Sequence, residues 1–145
     1  MKHIIFAITV LSTALFAASL TQANSQSNKE LVVSFYQEAL IDQQVEAAAM
    51  KYLTEDYIQH NPYVATGRQG FITGLTGWFS AVDVKFEIIR AIAEDDHVVL
   101  HIKQTSDGKT KSLVDIFRVE NGKIAEHWDV VQDVPEKMAH ENGMF

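Results

Sequence analysis

The stretch FRVENGKIAEHWDVVQ, residues 117–132, decides the fold of the second half of the chain. Asn121-Gly122 stands between two runs of strand-forming residues, a pattern that is typical of a tight β-hairpin. The returning strand carries the unbroken row EHWD, residues 126–129. Because side chains alternate across a strand, two of these four residues face one side of the sheet and two face the other.

The sequence leaves two registers open for this hairpin, and they differ in where Asp115 and Asp129 point. A two-residue type I′ turn at Asn121-Gly122 puts the two carboxylates on opposite faces of the sheet. A three-residue loop with Gly122 in the left-handed conformation pairs Asp115 with His127, and both carboxylates then share a face.

We favour the three-residue loop, because Arg118 and Glu126 then form a charge pair on the outer face. Titratable side chains in a mostly apolar concavity are suited to acid–base chemistry. The same alternation also fits a polar outer face, where a solvated His or Asp needs no function. In the favoured register the inner face consists of Leu113, Asp115, Phe117, Ala125, His127 and Asp129.

The residues before this hairpin also read as antiparallel strands. Apolar alternation predicts strands over residues 84–92, 98–104, 112–119 and 123–132. Asp95-Asp96 and the triplet at 106–108 supply the turns between them. In the first strand the residues predicted to share one face are Val84, Phe86, Ile88 and Ile92.

The first half of the chain shows helical spacing. Ser27 and Glu30 form a capping-box pattern, which predicts that a helix begins at Ser27. Asp42 is predicted to cap a second helix that buries Val45, Ala48, Ala49 and Tyr52. The apolar stripe of the first helix is predicted to contain Leu31, Val32, Phe35, Tyr36, Ala39 and Leu40.

A third helix is predicted from a second capping-box pattern, Thr66 with Gln69. Helices followed by a run of strands predict an α+β fold, in which a strongly curved antiparallel sheet wraps over the N-terminal helices and encloses a pocket. The apolar residues of the third helix are Phe71, Ile72, Leu75, Trp78 and Phe79.

The composition and the N-terminal segment limit the classes of protein to which this chain can belong. The chain has 145 residues, a formal net charge of -7 and no cysteine, so disulfides and thiol chemistry are excluded and nucleic acid is an unsuitable partner. Lys2 and His3 precede an apolar run over residues 4–20, which predicts a signal peptide at 1–23 and one exported domain at 24–145. A membrane anchor is the alternative, but the run is short for one. We therefore expect a periplasmic or secreted protein.

Four segments together resemble the SnoaL-like proteins, polyketide-cyclase relatives within the nuclear transport factor 2-like superfamily. They are YIQHNP (57–62), GRQGF (67–71), VDIFRVENGKIAEHWDVVQ (114–132) and NGMF (142–145). The resemblance spans residues 27–145. It implies a cone-shaped α+β fold with a deep pocket, and a homodimer formed through the outer face of the sheet.

The resemblance also implies a chemistry. Cyclases of this family close a ring by aldol condensation without metal or cofactor, and their general acid/base is similar in position to Asp129, with Asp115 as a second polar group. FYQEAL (35–40) resembles the ketosteroid isomerase segment that carries an oxyanion-stabilising Tyr, here Tyr36. Asn61 stands where those isomerases have their catalytic Asp, and an amide cannot take up that proton.

We therefore predict an acid–base site without cofactor for a small apolar molecule that bears a carbonyl group. Metal is not expected, because no short-spaced pair of ligands marks a site. The alternative is a ligand-binding or dimeric interaction module without catalysis, since fold alone does not determine function. After cleavage of the leader we expect no membrane contact. The predicted catalytic residues are Asp129, His127 and Asp115, and the predicted substrate-binding residues are Tyr36, His60, Asn61, Phe117 and Trp78.

Overall fold

The computed structural model describes residues 22–145, and these form helices packed on one five-stranded sheet. The predicted signal peptide at 1–23 lies almost wholly outside the described residues. No helix of the described part is long and apolar enough to cross a membrane. Helix α1 covers residues 22–36 and continues into a π-helical turn, Gln37–Ile41. The other elements are α2 (Val45–Tyr52), β1 (Leu53–Gln59), α3 (Arg68–Ala81), β2 (Val84–Glu94), β3 (His97–Ser106), β4 (Lys109–Glu120) and β5 (Lys123–Asp133).

The strand order in the sheet is β1-β5-β4-β3-β2. Strands β2 to β5 form the predicted antiparallel meander, and the α+β prediction is confirmed. Strand β1 was not predicted from the sequence. It follows α2 directly and pairs with β5 in parallel, with a register shift between Leu53 and Ile58. This strand completes the wall of the sheet beside the hairpin.

The core lies between the helices and the inner face of the sheet. Five of the six residues predicted for the stripe of α1 are buried, namely Val32, Phe35, Tyr36, Ala39 and Leu40, of which the last two lie in the π-helical turn. Leu31 is partly buried and packs against the same core. The ring of Phe35 lies 5.6–6.1 Å from three other rings, one each from α2, α3 and β4. Those three rings belong to Tyr52, Phe71 and Phe117.

The preferred hairpin register was wrong, although the face it assigned to the acidic residues was right. Asn121 and Gly122 both have positive φ, and Val119 pairs with Ile124, as in a two-residue turn. A bulge then shifts the register by one residue at Ala125. Beyond it Asp115 lies directly opposite Asp129, so the two carboxylates share the inner face.

Three predicted helix starts were wrong. Helix α1 is already helical at residue 22, so Ser27 lies inside it. Helix α2 begins after Gln44 without a side-chain cap, because Asp42 instead accepts a hydrogen bond from Gln37. The hydroxyl of Thr66 donates to the carbonyl of Tyr57 and does not cap α3.

The predicted facing of Ile92 was also wrong. A register shift between Ile88 and Arg90 reverses the alternation in the second half of β2. Ile92 is therefore 62% exposed on the outer face of the sheet, while Val84 remains buried.

Candidate active site

A cavity of about 760 Å³ lies between the helices and the inner face of the sheet. This volume is within the range of sites for small molecules. Its wall is largely aromatic and aliphatic, with a few polar side chains in one part of it. The apolar wall includes Phe35, Leu75, Trp78, Phe86, Leu113 and Phe117.

Two carboxylates stand side by side in the wall of this cavity. Asp115 on β4 and Asp129 on β5 are cross-strand neighbours, and Asp115 is only 4% exposed. His127, two residues before Asp129 on the same face, is 9% exposed. Its Nε2 lies 3.7 Å from Oδ1 of Asp115. Three groups that exchange protons therefore meet at one point of a mostly apolar surface.

The hydrogen bonds of Gln59 fix the tautomer of His127. The backbone N–H of Asn61 donates to Oε1 of Gln59 at 2.9 Å, so this atom must be the acceptor oxygen of the amide. Nδ1 of His127 lies 2.8 Å from the same oxygen and must therefore carry a proton and donate it. Nε2 is left to face the carboxylate of Asp115.

Asn61 holds Asp129 by a similar arrangement. The backbone N–H of Tyr63 donates to Oδ1 of Asn61, so the amide nitrogen of Asn61 points the other way. That nitrogen donates to Oδ2 of Asp129 at 2.5 Å. One carboxylate oxygen of Asp129 is thus occupied and oriented, and the other is left for a ligand in the cavity.

Two buried tyrosines complete the polar part of the site. Burial raises the pKa of Tyr36 well above its ordinary value, and the neighbouring Asp115 and Asp129 carboxylates raise it further. Burial and the charge of Asp115 likewise raise the pKa of Tyr57. Both phenols therefore stay protonated at physiological pH and can only act as neutral hydrogen-bonding groups. Tyr36 lines the cavity beside Asp115.

The structure brings most of the predicted site residues to the cavity, but not His60. Its ring stacks on Trp128 at 4.8 Å between centroids, and its Nε2 lies 2.8 Å from Oε1 of Glu126. Both contacts are on the outer face, so we leave His60 out of the site. The predicted residues that line the cavity are Tyr36, Asn61, Trp78, Asp115, Phe117, His127 and Asp129.

Sequence reasoning missed five polar residues that line the same cavity, one of which is the exposed Tyr63. Tyr57 and Gln59 lie on the unpredicted strand β1. Gln104 on β3 and Lys111 on β4 lie farther from the carboxylates. The alternation of side chains along β3 and β4 could have indicated Gln104 and Lys111, since both lie an even number of residues from neighbours on the inner face.

Among the described residues, one group of side chains could also bind a metal ion, and it consists of Asp115, His127 and Asp129. Their ligand atoms lie within 4.8 Å of one another. The amide hydrogen of Asn61, however, points at Asp129 and competes with a cation for that oxygen. The site can therefore be described by proton transfer among its own side chains. The expectation of a site without cofactor stays a prediction.

Comparison with solved structures shows the same fold in several proteins. TsrD from Streptomyces laurentii is 23% identical with a TM-score of 0.62, and the match covers 73% of this chain and 88% of that one. A candidate ketosteroid isomerase from Kribbella flavida DSM 17836 is 19% identical with a TM-score of 0.68, covering 83% and 86%. A candidate SnoaL-like polyketide cyclase from Jannaschia sp. CCS1 is 16% identical with a TM-score of 0.65, covering 74% and 87%.

A search of curated proteins finds no significant match. The sequence profile of the SnoaL-like polyketide cyclases matches residues 30–137, which is most of the chain and includes every polar residue of the cavity named above. The chain therefore belongs to the SnoaL-like polyketide cyclase family.

Proposed function

We propose that this protein catalyses a proton transfer next to a carbonyl group, of the kind that starts an intramolecular aldol condensation. The observation that carries the proposal is the pair of inner-face carboxylates with His127 in the wall of an apolar cavity. We propose that the reaction takes place outside the cytoplasm, because the N-terminal segment resembles a leader for export. The ligand would be a small apolar molecule, because most of the wall is apolar.

In the proposed reaction Asp129 is the general acid/base. Its free oxygen takes a proton from the carbon next to the carbonyl, and the electron pair of that C–H bond forms an enolate. The enolate carbon then bonds to a second carbonyl carbon of the same molecule, and the new alkoxide takes the proton back from Asp129. No oxidant and no cofactor is needed for this sequence.

The other polar residues have supporting roles in this proposal. Tyr36 stays a neutral phenol, and its single O–H, which lies beside Asp115, can turn to the enolate oxygen when that charge forms. Asn61 orients Asp129, and Gln59 holds His127 so that Nε2 faces Asp115. These groups are fixed by hydrogen bonds before a ligand arrives, which reduces the reorganisation needed in the transition state.

Replacing Asp129 should slow the reaction strongly and leave binding intact. We expect Asp129→Asn to slow hydrogen–deuterium exchange next to the carbonyl of a panel of cyclic and aromatic ketones by about 100-fold. Exchange is measured by NMR in D₂O, and the Kd of each ketone by fluorescence quenching. His60→Ala is the matched control, because His60 lies on the outer face, and it should leave the exchange rate unchanged.

Two results would count against catalysis. If wild type and Asp129→Asn exchange the ketone protons at the same rate, Asp129 is not the base. If the wild type binds the ketones and exchange is no faster than in buffer alone, the protein is a ligand-binding module of the same fold.

We also propose that two copies of the chain associate through the outer face of the sheet. An apolar row crosses four strands there, because Ile92 pairs with Val99, Val99 with Ile116 and Ile116 with Trp128. Ile92 is 62% exposed, and Val114 of the next row is also exposed. A contiguous exposed apolar patch is typical of an association surface. A two-fold axis would pack the patch of one copy against the same patch of the other.

Charge on this row should separate the two copies. We expect the wild type to elute at twice the monomer mass by light scattering, and Ile92→Lys/Val114→Lys to elute as a monomer at the same concentration. Met50→Lys is the control, since Met50 is an exposed apolar residue of α2 and lies away from the sheet. A wild type of monomer mass would refute the proposed dimer.

A further inference from the structure

The cavity opens toward the end of the sheet where β3 ends and β4 begins. On the inner face of β3, Val98, Leu100 and Ile102 are all 0% exposed. On the neighbouring end of β5, Val131 is 46% exposed and the side chain of Asp133 is 83% exposed. Exposure therefore increases along the inner face toward this end, which forms the mouth of the cavity.

Gln104 is a buried polar residue at the inner side of this mouth. It is 7% exposed and lines the cavity. Its amide therefore faces the space that a ligand would fill and can donate to an oxygen of that ligand.

Lys111 lies next to Gln104 across the β3–β4 pair and lines the same cavity. Its ammonium lies 3.8 Å from Oδ1 of Asp133, and the side chains of the two residues are 39% and 83% exposed. Such an exposed ion pair is weak, because water screens it and both side chains lose freedom when they form it. The ammonium is therefore available to a ligand at the mouth.

This mouth is well separated from the acid–base groups. Lys111 and Asp115 are four residues apart on β4 and share its inner face, which places their backbones about 13 Å apart. Leu113 lies between them and is buried. An anionic group would be repelled beside Asp115 and Asp129. At the mouth it would compete with Asp133 for the ammonium of Lys111 and would also meet the amide of Gln104.

We propose that Gln104 and Lys111 form a second binding subsite, which takes an anionic oxygen group such as a carboxylate at the far end of the ligand. The position of the ligand's carbonyl beside Asp129 rests on the proposed function, but the anion subsite does not depend on catalysis. The substrate class that follows is an apolar keto acid, long enough to reach from the carboxylate pair to the mouth.

Two dyes that differ by one anionic group test the subsite. The probes are 8-anilino-1-naphthalenesulfonate and its neutral parent N-phenyl-1-naphthylamine, and both fluoresce on entering an apolar cavity. We expect Lys111→Met to weaken binding of the sulfonate by about fivefold and to leave the Kd of the neutral dye unchanged. Gln104→Leu, of similar volume, should act in the same direction.

Lys103→Gln is the matched control. Lys103 precedes Gln104 on β3 and pairs with Ser112, so its side chain lies on the outer face and the variant removes the same charge on the other side of the sheet. It should leave both dye affinities unchanged. If Lys111→Met and Lys103→Gln change the sulfonate affinity equally, net charge explains the effect and the subsite is refuted. Unchanged affinities in both Lys111→Met and Gln104→Leu would refute it as well.

A second readout separates this proposal from the proposed function. The exchange assay compares two aromatic methyl ketones, an acetyl-substituted naphthoic acid and the acetylnaphthalene that lacks its carboxylate. For the acid, Lys111→Met should raise KM and leave kcat unchanged, and for the uncharged ketone it should change neither. If Asp129→Asn shows that there is no catalysis, the dye selectivity still decides the subsite. If exchange depends on Asp129 and the dyes show no selectivity, the function stands and the subsite fails.

Discussion

We expect the free energy of unfolding to fall by about 3 kcal/mol for each pH unit above about 10, because two buried tyrosines resist ionisation in the folded protein. The pKa values of Tyr36 and Tyr57 are raised well above 10.0, mainly by burial. In the unfolded chain both phenols ionise near pH 10. Their contribution to stability is therefore complete below that pH and is lost as the pH rises toward the folded-state pKa.

Urea unfolding followed by circular dichroism at pH 9, 10 and 11 measures this loss. We expect Tyr36→Phe/Tyr57→Phe to remove the part of the slope that is due to these two phenols. Tyr63→Phe is the control, because Tyr63 is 92% exposed and its replacement should leave the slope unchanged. Equal slopes for the wild type and the double variant would show that the loss of alkaline stability has another cause.

The buried phenols also explain why the site can keep its carboxylates close together. Tyr36 remains a protonated donor beside Asp115 at physiological pH. Asn61 donates to Asp129 in the same way. Each carboxylate of the pair thus has a neutral donor at its side, which offsets part of the repulsion between like charges on neighbouring strands.

The helices and the meander could be predicted from the sequence because their signals are local. The stripe of α1 repeats every three or four residues, and Asn121-Gly122 marks its turn by composition alone. Strand β1 has no such signal. It follows α2 without a turn residue, its pairing partner β5 lies about 70 residues later in the chain, and a register shift interrupts its alternation.

The missed strand also explains the one misplaced site residue. Because side chains alternate along an extended segment, Gln59 and Asn61 face the cavity and His60, between them, faces outward. If this segment is taken as a loop, the sequence does not show which of these side chains face the cavity. The acidic pair was found because it lies on a hairpin, but the bulge at Ala125, which places it on one face, depends on packing.

A methyl group added at Gly70 should destabilise the protein by about 3 kcal/mol, whereas the same change at Gly77 should stabilise it by about 0.5–1 kcal/mol. A Cβ at Gly70 would overlap the carbonyl oxygen of Ala65 and lie 2.7 Å from its carbonyl carbon. These are backbone atoms, which cannot move aside cheaply. At Gly77, on the exposed part of the same helix, a Cβ meets nothing within 4 Å. There alanine only reduces the freedom of the unfolded chain.

The two alanine variants test how α3 positions the site, because Gly70 packs on the segment that begins at Asn61. Gly70→Ala must push Ala65 away from the helix, and we expect this shift to reach the Asn61 amide that donates to Asp129, four residues earlier in the same segment. We therefore expect the folded fraction of Gly70→Ala to exchange ketone protons more slowly than Gly77→Ala, as measured by NMR after correction for unfolding by urea titration. If both variants change the stability in the same direction, the close approach of α3 to this segment is not the reason why position 70 requires glycine.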